Sequence, residues 1–110
     1  NLFKLNFIEL ESDEMPKGYV IGNNKLTNDK GYKSYAEKVP ATIKMFGGKF
    51  LARGGDTVVL DGEPRGNRNV VIEFPSIESA KAWYFSKEYQ SIVQGRLQNA
   101  DGYLLIVEGL

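Results

Sequence analysis

From Gly18 the chain runs Gly-Tyr-Val-Ile-Gly-Asn-Asn-Lys, β-branched and aromatic, before Asn/Lys/Thr loop chemistry, and this predicts a first strand. Asn28 is placed to cap a following helix, and Asp29 suits its positive N-terminal end. Tyr32, Tyr35, Ala36, Val39, Ile43 and Phe46 recur at helical spacing, with lysines on the opposite face. Pro40 interrupts the run, removes the bond its N–H would give to the Ala36 carbonyl, and is expected to kink or split the helix. Gly47-Gly48 supplies a left-handed stop. Lys49 to Gly54 and Thr57 to Leu60 read as strands, with Gly54-Gly55-Asp56 between them as a tight turn or bulge. Asp61 to Asn67 is loop on every local criterion.

Asn69-Val-Val-Ile-Glu-Phe is the clearest strand, closed by Pro75. Ser76 then caps a helix whose inward residues are expected to be Ile77, Ala80 and Tyr84. Ser86 repeats the signal, with Tyr89, Ile92, Val93, Arg96 and Leu97 along one side, and Gly102 to Glu108 forms a last strand. The order is the βαββαβ split unit of ferredoxin-like α+β folds: an antiparallel sheet with its helices on one face. Apolar residues occupy both faces of these strands. Tyr19 and Ile21 oppose Val20, Val71 opposes Val70 and Ile72, and Leu105 and Val107 oppose Leu104 and Ile106. One helix layer buries only one set, so the second predicts a homodimer with two sheets face to face.

Residues 1–14 stand apart. They are apolar-rich and then acidic, precede Met15-Pro16-Lys17, and read as an extension to a single domain over 15–110. The alternation of Phe3, Leu5 and Phe7 fits a short added strand.

Composition narrows the chemistry. The 110 residues carry 14 Lys+Arg against 14 Asp+Glu, with no His and no Cys. This excludes Ser-His-Asp and Cys-His catalysis, thiolate chemistry, disulfides, the usual N/S zinc sites and histidine-ligated haem, so neither metal nor cofactor is expected. Lys25, Lys30, Lys33, Lys38, Lys44, Lys49 and Arg53 outnumber Asp29 and Glu37 in one stretch, but no aromatic RNA-binding motif accompanies them. They read as a solvated helix face, with no nucleic-acid partner. No apolar stretch reaches the ~20 residues of a membrane span and no signal peptide fits, so a cytoplasmic location is expected. The paired glycines match no phosphate-loop pattern.

Candidate chemistry falls in two groups. Strict alternation places Arg53 and Glu73 on adjacent antiparallel strands, where a suitable register makes them a cross-strand pair. Glu73 would then be a general base and Arg53 a clamp for a carboxylate or enolate. The plainer reading is a structural ion pair, because an adjacent guanidinium lowers a carboxylate's pKa by ~1–3 units and makes it a poorer base. The second group is aromatic. Trp83, Tyr84, Phe85 and Tyr89 could wall a cavity for a flat organic ligand, although aromatics at helical spacing commonly pack as core. Trp83 is the residue expected at an interface or pocket edge. Tyr19, Asn23, Tyr32, Tyr35 and Arg96 are secondary candidates. An enclosed cavity of ~300 Å³ or more touching Arg53 or Glu73 is the mark expected of a ligand site.

The ordered set Lys17-Gly-Tyr, Val39-Pro-Ala, Phe46-Gly-Gly-Lys-Phe-Leu-Ala-Arg-Gly-Gly, Asn69-Val-Val-Ile-Glu-Phe-Pro-Ser, Ala82-Trp-Tyr, Ser86-Lys-Glu-Tyr-Gln and Ile106-Val-Glu-Gly resembles the small bacterial "domain of unknown function 1330" family, from about Pro16 to Leu110. The resemblance implies a dimeric α+β barrel, a fold shared with cofactor-independent monooxygenases and muconolactone isomerase-like enzymes. It names no activity, since fold alone does not carry one. Two readings stay open. One is a small-molecule-binding protein acting as a cofactor-independent oxygenase or isomerase; the other is a non-catalytic structural or stress-associated dimer.

Overall fold

The computed structural model describes residues 15–110, so the expectations for residues 1–14 lie outside the described residues. Among the described residues four strands and four helices follow in the order β1 (Gly18–Leu26), α1 (Asp29–Met45), β2 (Lys49–Arg53), β3 (Arg68–Phe74), α2 (Ile77–Tyr84), α3 (Lys87–Gln90), α4 (Gln94–Leu97) and β4 (Ala100–Glu108). The strands form one sheet in the order β2-β3-β1-β4, and every neighbouring pair is antiparallel. This is the ferredoxin-like α+β arrangement expected of the βαββαβ order.

The first three helices each begin where a side-chain oxygen answers an orphan N–H. Asn28 accepts from the Gly31 amide at 3.2 Å, Ser76 from Ser79 at 3.1 Å and Ser86 from Tyr89 at 3.1 Å. Gly47, at φ 77°, takes the left-handed turn that ends α1. The register puts Val20, Ile72 and Ile106 side by side on the helix-covered face. They join Tyr35, Val39 and Ile43 of α1, Ala80 and Trp83 of α2, and Phe74, Tyr89 and Val93 in one core.

Three local expectations are corrected. Helix α1 is continuous through Pro40. The Ala36 carbonyl that Pro40 cannot bond accepts instead from the Arg53 guanidinium, which reaches across from the edge strand. Thr57–Leu60 form no strand. Val58 and Leu60 are 80% and 92% exposed on an arm leading from β2 to β3, whose root is held by Asn69 donating to the Thr57 hydroxyl at 3.0 Å. They cannot pair with β3, both of whose edges are taken by β2 and β1. The third correction concerns Trp83. Expected at an interface or pocket edge, it is 1% exposed and packs as core, with its ring centroid 4.2 Å from that of Tyr89. Its indole N–H donates to the Thr42 hydroxyl at 3.0 Å, and Thr42 donates to the Val39 carbonyl at 2.8 Å. The inward face of α2 thus runs through Ala80 and Trp83, with Tyr84 only half-buried.

Candidate functional site

The expected Arg53–Glu73 pair does not form, because the register sets Glu73 opposite Lys49 at the other end of β2, and an irregularity also turns Arg53 to the other face. Strand β2 bulges between Phe50 and Ala52, so Phe50 opposes Ile72 while Arg53 opposes Val70, on the helix-covered side of β3. A single extra residue reverses the face that alternation assigns. Arg53 stacks over the Phe50 ring, its guanidinium carbon 4.5 Å from the centroid, while bonding the Ala36 carbonyl. Glu73 opposes Lys49 and Tyr19 on the bare side. There it meets the Lys49 ammonium at 3.7 Å and accepts from the Tyr19 hydroxyl at 3.2 Å. The Tyr19 phenol pKa lies above its ordinary value, through burial first and then the Glu73 carboxylate.

The remaining candidates divide the same way. Asn23 is on the bare side, donating to the Gly66 carbonyl and to Asn69 Oδ1, each at 2.9 Å, and accepting from the Gly66 amide at 2.9 Å. It pins the end of the arm. Tyr84 borders an open groove of about 330 Å³ beside Phe85 and Leu105. Tyr89, Tyr35 and Arg96 lie together under α1.

Of these, Tyr35 and Arg96 line a cleft between α1 and the sheet, together with Asn24, Tyr32, Arg53, Arg68 and Trp83 among others, and Tyr89 lies behind them. Its cavity is about 20 Å³. This falls far short of the expected ~300 Å³ and leaves room for about one water-sized group. Its walls are unusual in charge: among the described residues three guanidiniums line it and no carboxylate does. Arg53 is exposed, Arg68 half-buried, and Arg96 only 7% exposed. Arg68 donates to the Tyr32 hydroxyl at 3.3 Å and lies over that ring, 5.1 Å from its centroid. Gly54 makes room for it, since a Cβ there would sit 2.4 Å from the guanidinium.

Deeper in, Arg96 Nε donates to the Tyr89 hydroxyl at 3.4 Å, and the Tyr89 and Tyr35 hydroxyls are 2.7 Å apart. Burial drives the Tyr35 pKa far above its ordinary value, reinforced by Tyr89, and burial likewise raises Tyr89 despite the opposing hydrogen bonds from Tyr35 and Arg96. Both phenols are therefore neutral at neutral pH. Burial is the largest influence on Arg96 and works against its charge, but the bond and field of Tyr89, with Tyr35 and Tyr84, outweigh it and the pKa ends above its ordinary value. Among the described residues Arg96 has no carboxylate in ion-pair range. A buried cation answered only by hydroxyl dipoles is costly, and an incoming anion would relieve that cost.

Asn24 and Arg68 escaped the sequence reading, although a signal for both was present. Period-two alternation from Val20 reaches Asn24, and from Phe74 back through Ile72 and Val70 it reaches Arg68, so both share the covered face.

Comparison with known proteins places this geometry in a family. Among solved structures, the chain is similar to the RPA0582 protein of unknown function from Rhodopseudomonas palustris, at 18% identity and TM-score 0.71, covering 97% of this chain and 93% of that one. The methylated form of RPA0582 matches at 18% identity and TM-score 0.70, over 97% and 91%. SnoaB, a cofactor-independent oxygenase from Streptomyces nogalater, is similar at 7% identity and TM-score 0.57, over 84% of this chain and 91% of that one. At these identities the likeness is one of fold. Among curated proteins none matches. The model of the family described as "Domain of unknown function (DUF1330)" matches residues 17–110, and the chain belongs to that family.

Proposed function

We propose that this chain acts as a homodimer that binds a small organic molecule in the cleft between α1 and the sheet. The observation that carries the reading is the set of three guanidiniums lining one cleft with no carboxylate among the described residues of its walls. In a protein without net charge, such a concentration of one sign in a partly buried space favours an electron-rich guest. The bare sheet face supports the dimer. Tyr103, Leu105 and Val107 remain 42 to 45% exposed there, in register with Asn23, Ile21 and Tyr19 of the neighbouring strand. Two such faces packed together would remove this apolar row from water.

An oxygenase or isomerase without a cofactor needs a base to take a proton from its substrate. Glu73, the candidate for that role, is on the opposite face of the sheet from the cleft, and Arg53 is engaged with the Ala36 carbonyl. The groups that do line the cleft are hydrogen-bond donors and cations, suited to holding an oxyanion. Binding is therefore the better-supported role. A non-catalytic dimer with a merely packed interior is the competing reading. Saturation-transfer NMR of the full chain against a library of small organic molecules separates the two. Hits that Arg68→Gln removes are expected; no hits, or hits indifferent to that substitution, contradict the proposal. No helix among the described residues is long and apolar enough to cross a membrane.

A further inference from the structure

The connection between β2 and β3, residues 54–67, has neither helix nor strand of its own, and connections of this length in a compact domain are typically functional or disordered. This one is braced at its base. Asn69 holds the Thr57 hydroxyl, which in turn donates to the Asn67 carbonyl at 3.2 Å and ties the outgoing limb of the arm to the returning one. Asn23 holds both the carbonyl and the amide of Gly66, and Arg65 reaches Asp101 on β4 at 2.7 Å. Gly66 lies so close on β1 that a Cβ there would strike the Asn24 carbonyl. By strand alternation Asn69, Asn23 and Asp101 share the bare face with Val71, Ile21 and Tyr103. The arm is therefore rooted across three strands, at one end of the face that no helix covers.

Beyond this polar base the arm turns apolar. Val58, Val59 and Leu60 are 80%, 54% and 92% exposed at consecutive positions, and three neighbouring apolar side chains in water are unfavourable without a partner. We infer that the arm is a clasp for a second copy of this chain, closing on the copy whose sheet packs against the bare face. This role rests on the homodimer reading and extends it to the arm. Two features favour a second copy over any other occupant. The arm's ties to Asn23 and Asp101 lie on the same face as Tyr103, Leu105 and Val107, so a sheet laid on that row meets the base of the arm. The row is also too small by itself. Three side chains, each under half exposed, supply only a fraction of the ~800 Å² per copy that a stable interface buries. Val58, Val59 and Leu60 carry more uncovered apolar surface than the row does, and a two-fold pair would bury both arms at once.

The chain has no cysteine, so Leu60→Cys carries a single thiol for a photo-crosslinker. The full chain, labelled there with benzophenone maleimide, is mixed with ¹⁵N-labelled protein at micromolar concentration and irradiated. A covalent dimer is expected, with cross-linked peptides that join the two isotopic populations. Cross-links that stay within one chain overturn the clasp. In parallel, the double variant Val58→Asp with Leu60→Asp is expected to raise the dimer dissociation constant at least ~10-fold in sedimentation velocity, with circular dichroism unchanged. Both positions are so exposed that neither substitution threatens folding. If the double variant dimerises as tightly as the wild type while Leu105→Glu dissociates, the clasp is overturned and the face-to-face dimer stands. A wild type that is a monomer at micromolar concentration removes the dimer reading and the clasp with it.

Discussion

The two faces of the sheet share one backbone and differ in what their polar groups have found. On the bare face, Glu73 has Lys49 and Tyr19, and Asn23 has Gly66 and Asn69. Its polar chemistry is complete and its apolar row, Tyr103, Leu105 and Val107, is not. On the covered face the relation is inverted. The apolar core is closed around Trp83 and Tyr89, while among the described residues Arg96 has no carboxylate partner and Asn24 Oδ1 no donor. Unfinished apolar surface calls for a protein partner, and unfinished polar groups in a cleft call for a small one. The proposed function gives assembly to one face and recognition to the other.

The largest effect that could break this comparison is on assembly. Leu105→Glu places a carboxylate in the middle of the apolar row, twice in a two-fold dimer. It should raise the dimer dissociation constant at least ~100-fold while leaving circular dichroism unchanged, as sedimentation velocity across a dilution series will read. A mutant that stays dimeric, or a wild type that is a monomer at micromolar concentration, removes the bare face from the account.

A smaller effect sharpens the role of Arg53. If it replaces the bond Pro40 denies to Ala36, Arg53→Gln should cost about 1–2 kcal/mol in urea unfolding. In a Pro40→Ala background, where the residue-40 N–H again bonds Ala36, the cost should fall by about 1 kcal/mol. Equal losses in both backgrounds would mean that stacking on Phe50 is the whole of its contribution.

The smallest effect is in titration. Raised pKa values for Tyr35 and Tyr89 mean that the folded state keeps both phenols protonated where the unfolded chain would ionise them. Their stabilisation is fully present below about pH 10, the ordinary tyrosine value, and declines above it. Ultraviolet titration should show these two of the six tyrosines silent until the alkaline unfolding transition. Their ionisation in the folded chain would mean that the cleft floor is wetter than described.

Much of this was legible in the sequence, and the failures share a cause. Strand order, helix caps and the apolar content of both sheet faces follow from local periodicity, which local residues determine. The face of Arg53 depends on a bulge at Leu51 that no residue there announces. Pro40 does announce a lost bond, but its repair comes from Arg53, remote in sequence and adjacent only in the fold. The fate of Trp83 turned on whether the α2 stripe advances by three residues or four from Ala80, which an eight-residue helix leaves open. The arm's Val58 and Leu60 have strand-forming character without a strand to pair with, and propensity yields to the absence of a partner.

One high-resolution crystal structure of the wild-type chain tests the division between the two faces most directly. The account predicts two copies packed through Leu105 and Val107, with the arginine-lined cleft of each copy left open to solvent at Arg53. Copies joined elsewhere, with Leu105 and Val107 turned to solvent, would contradict it.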